Sequence, residues 1–97
     1  MHNLFVSYDL HQPGRNYESV IAAIKAQGNW AKPLESVFFL DTAKTAEAVH
    51  AAVRAAMDAN DSLLVIDASN NHAVWSNLAP NVSDYIRGHW NATRRAA

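Results

Sequence analysis

At 97 residues the chain has the length of one small domain, residues 1–97, and an apolar share of 49% is enough for a core, although a domain this small buries only a modest fraction of its surface. The absence of cysteine excludes a disulfide framework, a thiolate metal site and a cysteine nucleophile. A net charge of −1 argues against a binder whose affinity comes mainly from releasing counterions from nucleic acid, and leaves only local groups of cations: Arg15, Lys25 and Lys32 in the first third, and Arg87, Arg94 and Arg95 near the end.

Met1-His2-Asn3 leads into a short apolar stretch without the charged start or long apolar region of a secretory signal. No later run has the length of a membrane span, so the expected location is the cytoplasm, with no membrane partner. Residues 3–10 are rich in aromatic and β-branched side chains and read as a strand ending near Asp9. Gln12-Pro13-Gly14 is a turn, Asn16 a helix N-cap, and Tyr17, Val20, Ile21 and Ile24 recur on one face of an amphipathic helix that Gly28 closes.

Pro33 interrupts the next extended region, which predicts a short edge strand over 29–32 and a main strand over 35–41. Thr45 caps a second helix whose stripe is Val49, Ala52, Val53, Ala56 and Met57. Turn chemistry at 58–61 precedes a buried strand over 62–68, and a brief strand follows near 73–76. A last helix follows Pro80, with Asn81 and Asp84 at capping-box spacing, Val82, Tyr85, Ile86 and Trp90 on one face, and Gly88 weakening it by about 1 kcal/mol relative to alanine.

Two strand–helix units and an antiparallel sheet make the expected class α+β, a ferredoxin-like βαββαβ domain with an extra C-terminal strand and helix. Its main strands are apolar at odd and even positions alike: Leu4, Phe5 and Val6; Val37, Phe38 and Phe39; Leu63 through Ile66. Strand side chains alternate between faces, so both faces of the sheet need cover. Two helices shield one face. The other falls to the third helix or to a second copy of the sheet in a homodimer.

Three short segments bear on family. The first strand ends in Ser7-Tyr8-Asp9-Leu10, the central strand carries Glu35-Ser36-Val37-Phe38, and Asn60-Asp61-Ser62-Leu63 opens the strand after the second helix. In this order and spacing they resemble the Cas2-like family of small CRISPR-associated proteins and its stand-alone VapD-like and SinR-like relatives, over residues 3 to about 68. Leu34 stands where that family usually has glutamine, and Phe39-Leu40 where a glycine often follows.

The resemblance implies a ferredoxin-like homodimer and, in many members, a divalent metal between two symmetry-related aspartates. Carried onto this chain, that aspartate is Asp9, with Mg²⁺ as the ion and Ser7, Tyr8 and Arg15 assisting the phosphate of RNA or DNA. A hard ion of this kind prefers oxygen ligands. The alternative for Asp9 is a residue that only ends a strand.

His2, His11, His50, His72 and His89 form no zinc pattern, although His11 lies near Asp9 in the chain and is a candidate base. Trp30, Trp75 and Trp90 suit packing first and stacking on bases second. Asp41, Asp58, Asp61 and Asp67 read as solvated caps. Two functions remain open: a Cas2-like, Mg²⁺-dependent endonuclease, and a non-catalytic dimeric module docking another protein in a defence, toxin–antitoxin or phage system.

Overall fold

A computed structural model describes residues 1–11 and 17–90. Its elements are β1 (His2–Asp9), α1 (Tyr17–Lys25), β2 (Asn29–Leu34), β3 (Val37–Thr42), α2 (Ala46–Arg54), β4 (Ser62–Asp67), β5 (His72–Ser76) and α3 (Pro80–His89). The fold is α+β, with a five-stranded sheet in the order β2-β3-β1-β4-β5 and every neighbouring pair antiparallel. This layout is compatible with the ferredoxin-like expectation, β5 being added outside β4.

Alternation along the strands sorts the core. Leu4, Val6 and Tyr8 of β1, Phe38 and Leu40 of β3, and Leu63 and Val65 of β4 are buried on one face. Val20 and Ile24 of α1 and Val49 and Val53 of α2 complete the same cluster. Thr45 caps α2 as expected, its hydroxyl accepting from the Ala48 amide at 3.1 Å. No helix among the described residues is long and apolar enough to cross a membrane.

The opposite face carries two cross-strand rows, Phe39–Phe5–Ile66–Ala73 and Val37–Ser7–Leu64–Trp75. Over the β4–β5 half lies α3. The Trp75 indole donates to Ser83 Oγ at 3.0 Å, and an apolar groove of about 260 Å³ runs between Leu64 and Ile66 below and Tyr85, Ile86, His89 and Trp90 above. The third helix therefore covers half of this face. The β1–β3 half stays open: Phe5 is 38% exposed and meets Phe39 edge to face, with ring centroids 5.5 Å apart.

Several boundaries depart from the expectation. Glu35 and Ser36 form the turn of the β2–β3 hairpin, so the strand expected from 35 begins at Val37. Pro33 stays within β2, because β2 is an edge strand, exposed along its length, whose pairing with β3 shifts between Ala31 and Leu34. Asn81 does not cap α3. Pro80 occupies the first turn, where its missing N–H removes one donor that would need a cap, and Ala79 at the cap position makes no side-chain bond.

Gly28 is not a left-handed cap either. A Cβ there would lie 2.7 Å from the Asp41 carbonyl oxygen and 2.8 Å from Thr42 Cβ, so glycine is set by the close approach of two chain segments. Arg15, the Asn16 cap, the turn at 12–14, and Arg94 and Arg95 lie outside the described residues.

Candidate functional site

The open half of the second face holds the two residues foremost among the sequence-based candidates. Ser7 and Asp9 follow Phe5 at strand spacing and share its face, Ser7 between Val37 and Leu64, and Asp9 exposed at the strand end opposite Ser62. Tyr8 points the other way. Its ring is buried beside the helices and stacked on Phe38 at 6.3 Å between centroids. Burial first, then Tyr17 and Glu35, raise the pKa of its phenol, which stays protonated at neutral pH. Of the three residues expected to assist Asp9, then, the fold brings Ser7 to it, turns Tyr8 away, and leaves Arg15 outside the described residues.

Asp9 is one carboxylate, and among the described residues no group of three or more histidines, aspartates or glutamates is placed to hold a metal ion. The donor type suits a hard divalent ion.

Of the four aspartates expected to be solvated caps, Asp41 lies within β3, paired with Asn3 and Asn29, and Asp61 and Asp67 are buried. Asp61 is 1% exposed and accepts from the His11 amide at 2.8 Å and the Asp58 amide at 2.9 Å, tying the end of β1 to the α2–β4 loop. Arg54 and Asn77 bind the carbonyl oxygens of the same loop, at Ala59 and Asp61. Asp67 closes the β4–β5 turn by accepting from Ser69 N, Asn70 N and Asn70 Nδ2, while Asn71 takes the left-handed conformation there. Burial pushes the Asp67 carboxyl up, yet these bonds together with nearby His2 outweigh it and hold the pKa below its ordinary value.

A polar seam between α2 and β5 went unseen in the sequence. His72 binds Glu47 and lowers its carboxyl pKa, and His50 Nε2 lies 2.8 Å from Ser76 Oγ. The i, i+3 spacing of Glu47 and His50 puts both on one side of α2. Their partners, His72 and Ser76, stand four residues apart on β5 and so share a face, a signal present in the sequence but too short to stand out. The seam borders a groove of about 360 Å³ that Trp75 and Arg87 also line. The Arg87 guanidinium lies over the Trp75 ring, 5.2 Å from its centroid, and donates to Ser83 Oγ.

The tryptophans divide accordingly. Trp75 and Trp90 are half-buried, their indole N–H groups donating to Ser83 Oγ and, at 3.3 Å, to the Asn71 carbonyl. Trp30 on β2 is 47% exposed, edge-on to Phe38, with Lys25 Nζ 4.2 Å from its ring centroid. No family model, curated protein or solved structure matches the chain.

Proposed function

We propose that the chain is a ferredoxin-like, Cas2-like homodimer that acts on RNA or DNA phosphodiesters, with a divalent ion held between the Asp9 carboxylates of two protomers. The observation that carries this reading is the placement of Phe5, Ser7 and Asp9 on one open face of the central strand. A second copy that buries the exposed Phe5–Phe39 pair also draws the two Asp9 side chains toward the symmetry axis. Mg²⁺ bound there would supply charge stabilisation at phosphoryl oxygens. Ser7 would offer a hydroxyl donor to the same phosphate, and Arg15 a cation. The phenol of Tyr8, turned toward the helices, contributes to the core that fixes the strand.

Sedimentation of the purified chain tests the first half of the proposal and metal titration the second. The expected results are a dimer at micromolar concentration, Mg²⁺ or Mn²⁺ binding by calorimetry, and metal-dependent cleavage of labelled RNA or DNA, with Asp9→Ala removing both binding and cleavage while the dimer persists. A stable monomer, or cleavage indifferent to Asp9→Ala, overturns it. The net charge of −1 and the inward Tyr8 favour a second reading, a dimeric module that docks another protein without cleaving. A dimer that binds no metal and leaves nucleic acid intact selects that reading.

A further inference from the structure

The β2 edge gathers an exposed aromatic ring and two cations, one from the end of α1 and one from β2 itself. Trp30 and Lys32 stand two residues apart on β2 and so share a face, about 7 Å apart along the strand. Lys25 reaches that face from the last turn of α1 and lies over the Trp30 ring. Lys32 Nζ lies 5.8 Å from the Phe38 ring centroid, beside the same indole. Of the hairpin's two carboxylates, Asp41 lies opposite Asn29 on the other face, while Glu35 at the tip lines the same groove as Lys32.

Lys44, the third lysine of the chain, lies near the entry to β2, its ammonium donating to Gln27 Oε1 at 2.8 Å. All three lysines thus line the α1–β2 side of the sheet in a protein whose net charge is −1. Trp75 and Trp90 offer no comparable surface, since both are half-buried with their indole N–H groups committed.

We infer that this edge is a binding site for single-stranded nucleic acid, with Trp30 stacking on one base and Lys25 and Lys32 contacting the flanking phosphates. A base has an apolar π-face whatever its identity, and the exposed indole offers a matching one. The two ammonium groups beside it supply charge where a backbone would run. A duplex keeps its bases stacked on each other and cannot use the ring, which sets the preference for single strands. The inference rests on the nucleic-acid reading proposed above and specifies the form of that ligand. It places the contact on β2, on the helix side of the sheet, away from Asp9.

Fluorescence anisotropy of labelled oligouridylate and oligothymidylate against the full chain tests it, with the same sequences presented as duplexes for comparison. Trp30→Ala is expected to weaken single-strand binding by about fivefold or more, with Trp30→Phe restoring most of it. Lys25→Gln with Lys32→Gln is expected to reduce the slope of log affinity against log salt by about 0.7 for each phosphate that no longer meets an ammonium group.

Binding unchanged by Trp30→Ala, or a duplex bound as tightly as the single strand, overturns the inference. Cleavage is followed in parallel, so the two readings fail separately. Asp9-dependent cleavage that ignores Trp30 defeats only the edge site. Trp30-dependent binding without Asp9-dependent cleavage defeats only the nuclease.

Discussion

A methyl group added at Gly28 would sit 2.7 Å from a backbone oxygen that has no freedom to turn aside, because Asp41 is held in β3. Gly28→Ala is expected to destabilise the fold by about 1–3 kcal/mol, as overpacking does, and denaturant titration reads the loss directly. The same junction carries the Thr42 hydroxyl, which donates to the Gln27 carbonyl at 2.6 Å and accepts from the Lys44 amide, so the shift would also disturb a buried bond. Protonation acts at this scale too. Burial, and then the nearby charge of Arg54, hold the His50 imidazole below its ordinary pKa of 6.5, so below that pH the unfolded chain binds the proton more readily than the folded one. Stability is therefore full above about pH 6.5 and falls on acidification toward the folded value. His50→Gln, which keeps a hydrogen-bonding group near Ser76 without titrating, should flatten that part of the stability profile. A wild-type profile flat from pH 7 to 5 would refute the assignment. Asp67, also lowered, adds a loss in the same direction at lower pH, beginning near its ordinary value of 3.8.

Among the elements, α3 is the one whose attachment rests most on polar contacts. Ser83 Oγ accepts from the Trp75 indole at 3.0 Å and from Arg87 at 2.9 Å, and it is the residue of α3 that is buried, whereas Val82 and Tyr85 are exposed. Ser83→Ala gains up to about 0.5 kcal/mol of helix propensity. It also strips the indole N–H of its acceptor, at a cost of about 1–3 kcal/mol, and the second effect wins. Hydrogen exchange should accelerate across α3 and leave β1 and β3 protected; uniform exchange throughout would show that the helix is not a separable unit. The elements differ in how legible they were. The Thr45 cap and the stripe through Val49 and Val53 marked α2, because capping and helical period depend only on neighbours in the chain. Glu35-Ser36 has no glycine or asparagine to announce a turn, so the sequence pattern sets the break at Pro33 and starts the main strand at 35. Pro33 does not end β2, because an edge strand with a register shift tolerates it. At the candidate site, period-2 alternation alone put Ser7 with Asp9 and Tyr8 opposite, while grouping all three by motif hid that division. Trp30 and Lys25 meet across the three-residue connection between α1 and β2, a contact between two elements that the period of neither one encodes.

At the level of the whole molecule, the two faces of the sheet are unequally served. One is sealed by α1 and α2; the other is half covered by α3 and half open at Phe5 and Phe39. Burying a phenylalanine side chain contributes about 1.5–3 kcal/mol, and a symmetric pairing buries Phe5 and Phe39 from both chains at once. If the second copy closes this face, unfolding is linked to dissociation and the melting temperature depends on chain concentration. A tenfold increase in concentration should raise Tm by about 3–5 °C, given the unfolding entropy of a chain this size. Phe5→Glu places a charge on the open face and should abolish that dependence while leaving the helix-side core intact. Ala48→Glu, on the exposed side of α2, should preserve it. A wild-type Tm that stays constant over a hundredfold range of concentration would mean that the open half is stable against water in a monomer. The shared position for Asp9 would then go with it, because among the described residues no group of three or more metal-ligating side chains stands there to replace the partner's carboxylate.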